Sequence, residues 1–404
     1  MAEASPALSN RNYDPGLVVF GFLALGLYEG AYIAKWWASS PQPPFGDFFG
    51  FWSFGKFAAT FGSAIYDPFA LAAYQHGLDP ALDGGYPYPY PPTFLLVLIP
   101  LGMMTLPVAY FCWVLATFSL YVLATLGRHW RSISGLALLT APTTLIVVIS
   151  GQNGFLSAAL LIGGLRCLAR SPAYGGVLLG LLTYKPQFVL LLPIVLIASR
   201  NVSAILAACA TALFVAAASS AALGGSIWPH WMAGFPIYQS LLQTNQAGLD
   251  HMMPTLVAGA HALRAPASIG YAAQLLCSGV VGLVTWRACA RGIDEKSIAM
   301  AVIGSMVVAP YAMIYDMPMI AAAIAIHWKA RAEAGVPILI AEVLLVVALF
   351  ACLLAMIGNS IPFAASVMVF VLFLVIAFSR GAELNGGGDG AGVPINANLA
   401  NAEG

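Results

Sequence analysis

Charged side chains are scarce in this sequence. Asp, Glu, Lys and Arg make up 8% of its 404 residues, whereas an ordinary soluble domain has about 25%. Apolar residues account for 60% of the chain, and the mean hydropathy is +0.86. A soluble domain could not bury that much apolar surface, so the composition predicts an all-α, polytopic integral membrane protein. The formal net charge is zero, and we therefore expect no nucleic-acid partner.

Several signatures of soluble enzymes are also missing. The sequence contains no HExxH, no GxSxG, no P-loop and no D-x-D, the motif with which many nucleotide-sugar enzymes hold a metal. Its six cysteines form no CxxC pair and lie in or beside apolar runs, which is typical of small buried side chains. We therefore expect no metal site and no cofactor.

Long apolar runs are abundant, and they predict about 12 transmembrane helices. The first run, 15–34, lacks a clear cleavage site and predicts a retained helix after a short cytoplasmic segment, 1–14. The membrane domain then extends over 15–380, and the Gly- and Asn-rich tail 381–404 is expected to be disordered. The runs fall at roughly 15–34, 93–127, 133–149, 152–169, 173–184, 186–199, 201–223, 267–290, 297–310, 311–327, 336–357 and 361–379.

The distribution of basic residues predicts the orientation in the membrane. With the amino terminus in the cytoplasm, twelve of the 16 Lys and Arg residues fall on the cytoplasmic side. The outer side receives only Lys35, Lys56, Lys185 and Arg264. This bias follows the positive-inside rule. We therefore expect a multi-pass protein of the cytoplasmic membrane, with both termini in the cytoplasm.

Two parts of the pattern do not fit simple spanning helices. The runs 173–184 and 186–199 form a hairpin whose arms, at about 1.5 Å per residue, reach only about 20 Å into a core of about 30 Å. The run 93–127 is too long for one crossing and predicts a short dipping segment before Pro107. Such irregular backbone is tolerated where it lines a cavity, so we expect a cavity that opens to the outer face.

The first outer loop, 35–92, is the longest predicted connection. Residues 47–61 and 67–77 predict two short interfacial helices, the second capped by Asp67 before Pro68. The loop ends in "GGYPYPYPPTF", 84–94, a stiff and extended aromatic stretch. We expect Tyr88 and Tyr90 to form a wall beside the cavity, although Pro at the first turn of a helix explains the stretch equally well.

Polar clusters converge on the same face and carry a family resemblance. They are "SGQNG" (150–154), "YKPQ" (184–187), "LDHMMPT" (249–255) and "APYAMIYDM" (309–317). Together with an early Asp in the first outer loop and YPP at the membrane entry, their order resembles the GT-C membrane glycosyltransferases, and within them glycosyltransferase family 87. The resemblance covers about residues 15 to 330.

The resemblance implies a GT-C-like helix bundle and an inverting transfer from a polyprenyl-phosphate sugar on the outer side of the membrane. It also implies that Asp47, early in the first outer loop, is the catalytic base. A His commonly precedes GQNG in this family, whereas Ser150 stands here, and Tyr184 precedes KPQ. These departures leave the sugar, the anomer and the acceptor open.

The residues fit this chemistry without a metal. One base must take the acceptor proton, and a cation must balance the charge on the leaving phosphate. For the phosphate we expect Lys185 with Gln187, and Lys56 or Arg264 as the alternatives. For sugar or acceptor binding the candidates are Tyr88, Tyr90, Gln152, Asn153, His251, Tyr311, Tyr315 and Asp316.

Most of these residues also have an ordinary structural explanation. Asp47 could cap the helix 48–59, Gln152 and Asn153 could cap 152–169, and Lys185 could extend its ammonium to the membrane surface. Other functions also remain open. A lipid-linked glycan polymerase or ligase would have a similar pattern, whereas a transporter or flippase should show repeated halves with charges at mid-membrane. A non-catalytic scaffold would not need polar clusters on one face.

Overall fold

The computed structural model describes residues 45–82, 84–127, 133–244, 249–357 and 362–379, with eight further positions between 24 and 38. The predicted segments 1–14 and 381–404 lie outside the described residues, as does most of the predicted helix 15–34. All regular structure in the described part is helical, and no strand occurs there. The all-α class is therefore confirmed.

In the first half of the chain, the stretches described from residue 45 onward form nine helices. They are α1 (Phe48–Phe61), α2 (Pro68–Leu78), α3 (Leu95–Gly102), α4 (Leu106–Leu126), α5 (Ile133–Leu139), α6 (Pro142–Ser150), α7 (Gly154–Cys167), α8 (Pro172–Leu181) and α9 (Leu192–Ala198).

The described stretches of the second half contain eight helices with defined bounds. They are α10 (Val202–Leu223), α11 (Ile227–Thr244), α12 (Leu256–Ala262), α13 (Ala267–Cys289), α14 (Glu295–Val308), α15 (Pro318–Glu333), α16 (Ile340–Ile357) and α17 (Pro362–Phe378). Short 3₁₀ turns link several helices, at Gly62–Tyr66, Pro92–Phe94, Leu182–Tyr184, Pro186–Phe188 and Ile314–Asp316.

Three of the described helices are long and apolar enough to cross a membrane, namely α4, α10 and α13. Several others are apolar but shorter, including α7, α16 and α17. These helices agree with a membrane protein. The expected number of spanning helices, about 12, and their orientation stay predictions.

The bundle is built around α14 and the start of α15. Every residue of α14 from Ser297 to Val307 is buried, because α7, α13, α15 and α17 pack around it. The first seven residues of α15, 318–324, are buried as well. The turn between these two helices, 309–317, is therefore held by buried helix segments on both sides.

The two irregular segments occur where they were predicted. α8 has 10 residues and α9 has seven, so at about 1.5 Å per residue they reach about 15 Å and 10 Å, too short to span. The long run breaks at Met103–Thr105 into α3 and α4, the latter with Pro at its first turn. The short arms and the break before Pro107 are confirmed, whereas the dipping of the segment into the membrane stays a prediction. Lys185 is buried at the tip between α8 and α9.

The two helices predicted in the first outer loop are also present. α1 buries Phe48, Phe51 and Phe54, and it packs against α3. The Asp67 side chain accepts hydrogen bonds from the N–H groups of Phe69 and Ala70, which confirms the predicted cap of α2. Whether the two helices lie at a membrane surface stays a prediction.

Two helices, α11 and α12, were missed. α11 lies in a region, 224–266, that has no long apolar run and contains Pro229 and Pro236. Its indole groups fix it to neighbouring elements, because Trp228 Nε1 donates to Ser219 Oγ at 3.2 Å and Trp231 Nε1 donates to the Pro89 carbonyl at 3.5 Å. α11 therefore lies along the aromatic stretch 84–94.

Candidate active site

Asp47 lies directly before α1, but it does not cap that helix. Its backbone is already helical and its side chain makes no capping hydrogen bond. The carboxylate instead accepts a hydrogen bond from Gln152 Nε2, 3.0 Å from Asp47 Oδ2. Asp47 is half-buried, and this burial raises the pKa of its carboxyl group, while the Gln152 hydrogen bond lowers it. The capping explanation for Asp47 is wrong.

The backbone around Gln152 is fixed by its surroundings. Gly151 has φ +65°, and a Cβ atom there would lie 2.4 Å from Phe48 Cβ, so the turn requires glycine. Trp113 Nε1 donates to the Gly151 carbonyl at 3.0 Å, and the Tyr110 hydroxyl donates to the Val148 carbonyl. The turn after α6 is thus pressed against the start of α1.

The next residue, Asn153, contacts the aromatic stretch. Asn153 Nδ2 donates to Tyr90 Oη at 3.2 Å, and the Asn153 side chain does not cap α7. A Cβ atom on Gly154 would lie 1.8 Å from the Tyr315 carbonyl oxygen, so the start of α7 touches the 314–316 turn. The capping explanation for the GQNG side chains is therefore wrong, and GQNG joins three segments.

Two amide oxygens at this point have no partner. Gln152 Oε1 and Asn153 Oδ1 are both buried and accept no hydrogen bond among the described residues. Their nitrogen atoms already donate, to Asp47 and Tyr90 respectively. A buried acceptor without a donor costs about 1–3 kcal/mol, so a ligand that supplies hydroxyl donors would be stabilised here.

Lys185 and Asp316 form a buried ion pair. Lys185 Nζ lies 2.5 Å from Asp316 Oδ1, and the two side chains are 3% and 1% exposed. Asp316 Oδ2 also accepts from the Met313 N–H at 3.1 Å. The ammonium lies over the rings of Tyr315 and Phe188, 5.2 Å and 5.5 Å from their centroids. Lys185 is thus charge-compensated by Asp316, a partner that no sequence pattern indicated.

Tyrosines connect the two carboxylates. Burial raises the pKa of the Tyr311 phenol, and both Asp316 and Asp47 add to this effect. The pKa of Tyr315 is likewise raised by burial and by the same two carboxylates. Tyr238 on α11 forms a side-chain hydrogen bond with Tyr311. Asp47 and Asp316 therefore border one tyrosine-lined region, and Tyr238 is a residue of that region that the sequence did not indicate.

The two predicted wall residues are placed differently. Tyr90 contacts Asn153, as described above, whereas Tyr88 is 5% exposed and donates to the Pro91 carbonyl at 3.1 Å. Tyr88 also lines a small, half-open pocket, together with Pro87, Ile237 and Tyr238. The aromatic stretch thus forms one wall of a pocket beside α11.

The remaining candidates lie on other parts of the described chain. Lys56 is nine residues further along α1, about 14 Å at 1.5 Å per residue, and its ammonium lies 5.0 Å from the Trp52 ring centroid. Arg264 is exposed just after α12, and Gln187 is half-buried beside Lys185. His251 precedes Met252, whose carbonyl accepts a hydrogen bond from the Ile314 N–H at 2.8 Å. The segment around His251 therefore contacts the 314–316 turn.

The described residues contain no group of three or more His, Cys, Asp or Glu side chains that could hold a metal ion. The arrangement instead presents one carboxylate with a neutral donor, one neutralised ion pair, and phenol and amide groups around them. This set of groups can take a proton from a hydroxyl and bind a molecule rich in hydroxyl groups.

Comparison with known families agrees with the motifs. The family model described as glycosyltransferase family 87 matches residues 88–315, more than half of the chain. The match includes Tyr90, Gln152, Asn153 and Lys185, whereas Asp47 precedes it and Asp316 directly follows it. No curated protein and no solved structure matches the chain.

Proposed function

From the premise that this chain belongs to glycosyltransferase family 87, and from the geometry around Asp47, we propose an inverting transfer from a polyprenyl-phosphate sugar. The sugar is a hexose such as mannose, and the acceptor is a lipid-linked or glycan hydroxyl. The reaction takes place at the outer face of the cytoplasmic membrane, with both termini inside. No metal takes part, in keeping with a sequence that has no D-x-D.

The observation that carries the proposal is the environment of Asp47. Its carboxylate is half-buried, its side-chain donor is the neutral amide of Gln152, and it forms no ion pair among the described residues. Burial raises the pKa of this carboxyl group, which makes the ionised form a better proton acceptor. A general base needs these properties.

The chemistry follows from that base. Asp47 takes the proton of the acceptor hydroxyl while the hydroxyl oxygen bonds to the anomeric carbon of the donor sugar. The bond between this carbon and the phosphate oxygen breaks, and the polyprenyl phosphate leaves with the electron pair. Attack opposite to the leaving group inverts the anomeric centre. A phosphate leaves as an anion, so it needs a nearby cation rather than an acid.

Lys185 is the proposed contact for this phosphate. An ammonium group has three N–H donors, and Asp316 accepts one of them, so two remain for a phosphate oxygen. Gln187 offers a neutral donor next to it in the chain. Because Asp316 already offsets the Lys185 charge, the phosphate binds less strongly than it would to an unpaired lysine, and Lys56 and Arg264 stay alternative cations.

The sugar and acceptor are proposed to bind between the two carboxylates. The unpartnered oxygens of Gln152 and Asn153 accept hydroxyl donors, and the rings of Tyr90, Tyr311 and Tyr315 provide flat apolar surface. His251 is proposed at the edge of this region. The pocket lined by Tyr88 and α11 is proposed to take part of the isoprenoid chain.

The function is tested by transfer from radiolabelled polyprenyl-phosphate mannose to a membrane lipid extract, with the purified protein in nanodiscs. We expect a labelled product and released polyprenyl phosphate. Asp47→Asn should reduce the rate by about 10²–10⁴-fold, the typical contribution of a general base. Near-normal turnover in Asp47→Asn would contradict the assignment of the base.

The matched control is Asp67→Asn in the same loop. Asp67 caps α2, and asparagine is an equally good cap, so this variant removes a carboxylate charge and keeps the helix. Its transfer rate should stay close to that of the unmodified protein.

A further inference from the structure

The contact between Asp47 and Gln152 joins residues that are 105 positions apart. It is a hydrogen bond between a carboxylate and a neutral side-chain amide, at 3.0 Å. Gln152 is 9% exposed, and its backbone is held by the turn at Gly151. A glutamine with that little freedom holds the carboxylate in one orientation.

We propose that Gln152 is a positioning residue for Asp47, whose amide nitrogen holds Oδ2 of the carboxylate ionised and oriented before the acceptor arrives. This inference rests on the proposed role of Asp47 as the base. It assigns Gln152 a task that does not require contact with the reacting atoms, in addition to the hydroxyl binding proposed for its oxygen.

The orientation of the amide follows from electrostatics. A carboxylate oxygen accepts hydrogen bonds and cannot donate when ionised. The amide nitrogen must therefore face Asp47, because an amide oxygen in that place would repel the carboxylate. Gln152 Oε1 consequently points away from Asp47, and it is the buried atom that has no partner. If the amide were rotated, Oε1 could gain a donor only at the loss of the hydrogen bond between the amide nitrogen and Asp47.

A neutral donor suits a base better than a cation would. Hydrogen bonding to the ionised form lowers the pKa of a carboxyl group, and a nearby cation lowers it further. A base with a strongly lowered pKa is a weak proton acceptor. At Asp47, burial raises the pKa and the Gln152 hydrogen bond opposes this in part.

The titratable groups around Asp47 do not obscure its titration. Burial and Asp47 raise the pKa of Tyr86 to about 12. The pKa values of Tyr311 and Tyr315 are also raised, by burial first and by Asp47 among the charges. These phenols stay neutral at and below neutral pH. The charges of Lys185 and Asp316 belong to their own ion pair.

The test is an infrared titration of the purified protein, which needs no substrate. The C=O band of protonated Asp47 is identified as the band that Asp47→Asn removes. Gln152→Met removes the donor and keeps the length of the side chain. We expect the Asp47 midpoint to rise by roughly half to one pH unit, as the loss of one hydrogen bond predicts.

Gln152→Glu provides a second perturbation. It places another carboxyl group against Asp47, and two carboxylates that share a site cannot both ionise easily. The midpoint should therefore rise more in this variant than in Gln152→Met.

The control is Gln274→Met on α13. Gln274 is also a buried glutamine with an occupied nitrogen and an unpartnered oxygen, and it donates to the Val307 carbonyl at 2.5 Å. Its replacement should leave the Asp47 midpoint unchanged. In the transfer assay, Gln152→Met should lower kcat, because Asp47 is no longer held in one orientation. A rise in the KM of the sugar donor or the acceptor would report the separate loss of the Gln152 oxygen.

An unchanged Asp47 midpoint in both Gln152 variants would overturn the inference, as would an equal rise in Gln274→Met. These outcomes are separate from a failure of the proposed function. If Asp47→Asn kept full transferase activity, the base would be wrong, while the titration would still report whether Gln152 holds this carboxylate.

Discussion

Loss of the Lys185 ammonium should destabilise the protein, even without any substrate. Its partner Asp316 is 1% exposed and accepts from Lys185 and from the Met313 N–H. Lys185→Met keeps the volume of the stem but leaves a carboxylate buried without a cation. The perturbation therefore acts on folding, in addition to any effect on donor binding.

The magnitude follows from the geometry of the pair. At 2.5 Å, the gross attraction between unit charges is about 7 kcal/mol for an effective dielectric constant of about 20. Desolvation of both ions offsets much of this, so the intact pair adds little net stability. Removal of one partner is different, since the other charge stays buried, and it costs about 3–5 kcal/mol.

The double variant separates these effects. Asp316→Asn keeps an oxygen that can accept from the Met313 N–H but has no charge, so Lys185→Met/Asp316→Asn leaves no unpaired ion. We expect it to lie within about 1–2 kcal/mol of the unmodified protein, because replacing both members of a buried pair is often close to neutral. The single Lys185→Met variant should thus be less stable than the double variant.

The assay is thermal unfolding in detergent at one fixed heating rate, because unfolding of such a protein is often irreversible. One kcal/mol corresponds to about 2–4 °C in a domain of 150–250 residues and to less in a larger chain. A decrease of about 3–8 °C is expected for Lys185→Met.

The control for this series is Lys329→Met. Lys329, which is partly exposed, pairs with the exposed Glu333 at 3.5 Å, and surface i,i+4 pairs contribute only about 0.3–0.5 kcal/mol. If Lys185→Met lowered Tm no more than Lys329→Met, the buried pair would not contribute as reasoned here. A decrease in the double variant equal to the sum of the two single decreases would also refute the coupling.

Two further predictions concern pH and topology. In the proposed mechanism the ionised form of Asp47 is the active one, and burial raises the pKa of Asp47 above its ordinary value of 3.8. The value of kcat/KM should therefore fall with decreasing pH at a higher pH than for an ordinary aspartate. A rate that is constant down to about pH 4 would contradict this. The labelling test needs a cysteine-free background, because Cys112 and Cys209 are exposed. Single cysteines introduced at Ala81 and Ser226 should react with an impermeant reagent on intact cells, whereas one at Ala332 should not. The reverse labelling would contradict the orientation.

The helical organisation could be predicted from short stretches of sequence. The length of an apolar run, a proline at the first turn and an Asp before it act within a few residues. They predicted the break before Pro107, the short arms on both sides of Lys185, and the cap at Asp67. α11 was missed because Pro229, Pro236 and several polar residues interrupt its apolar pattern, and its position depends on Trp228 and Trp231 contacts with other segments.

The motifs also indicated which residues gather on one face, but they did not pair them. The partner of Asp47 is 105 residues away, and the partner of Lys185 is 131 residues away. These pairs exist because α14 and α15 hold the 309–317 turn against the start of α7, where Gly154 permits the approach, while Gly151 lets Phe48 come close to the GQNG turn. The sequence by itself determined the helices and the polar clusters, since these follow from local propensity and burial of apolar surface. Only the packing of many helices decided which carboxylate accepts from a neutral amide and which one pairs with a lysine, because such pairing depends on distances that no local rule contains.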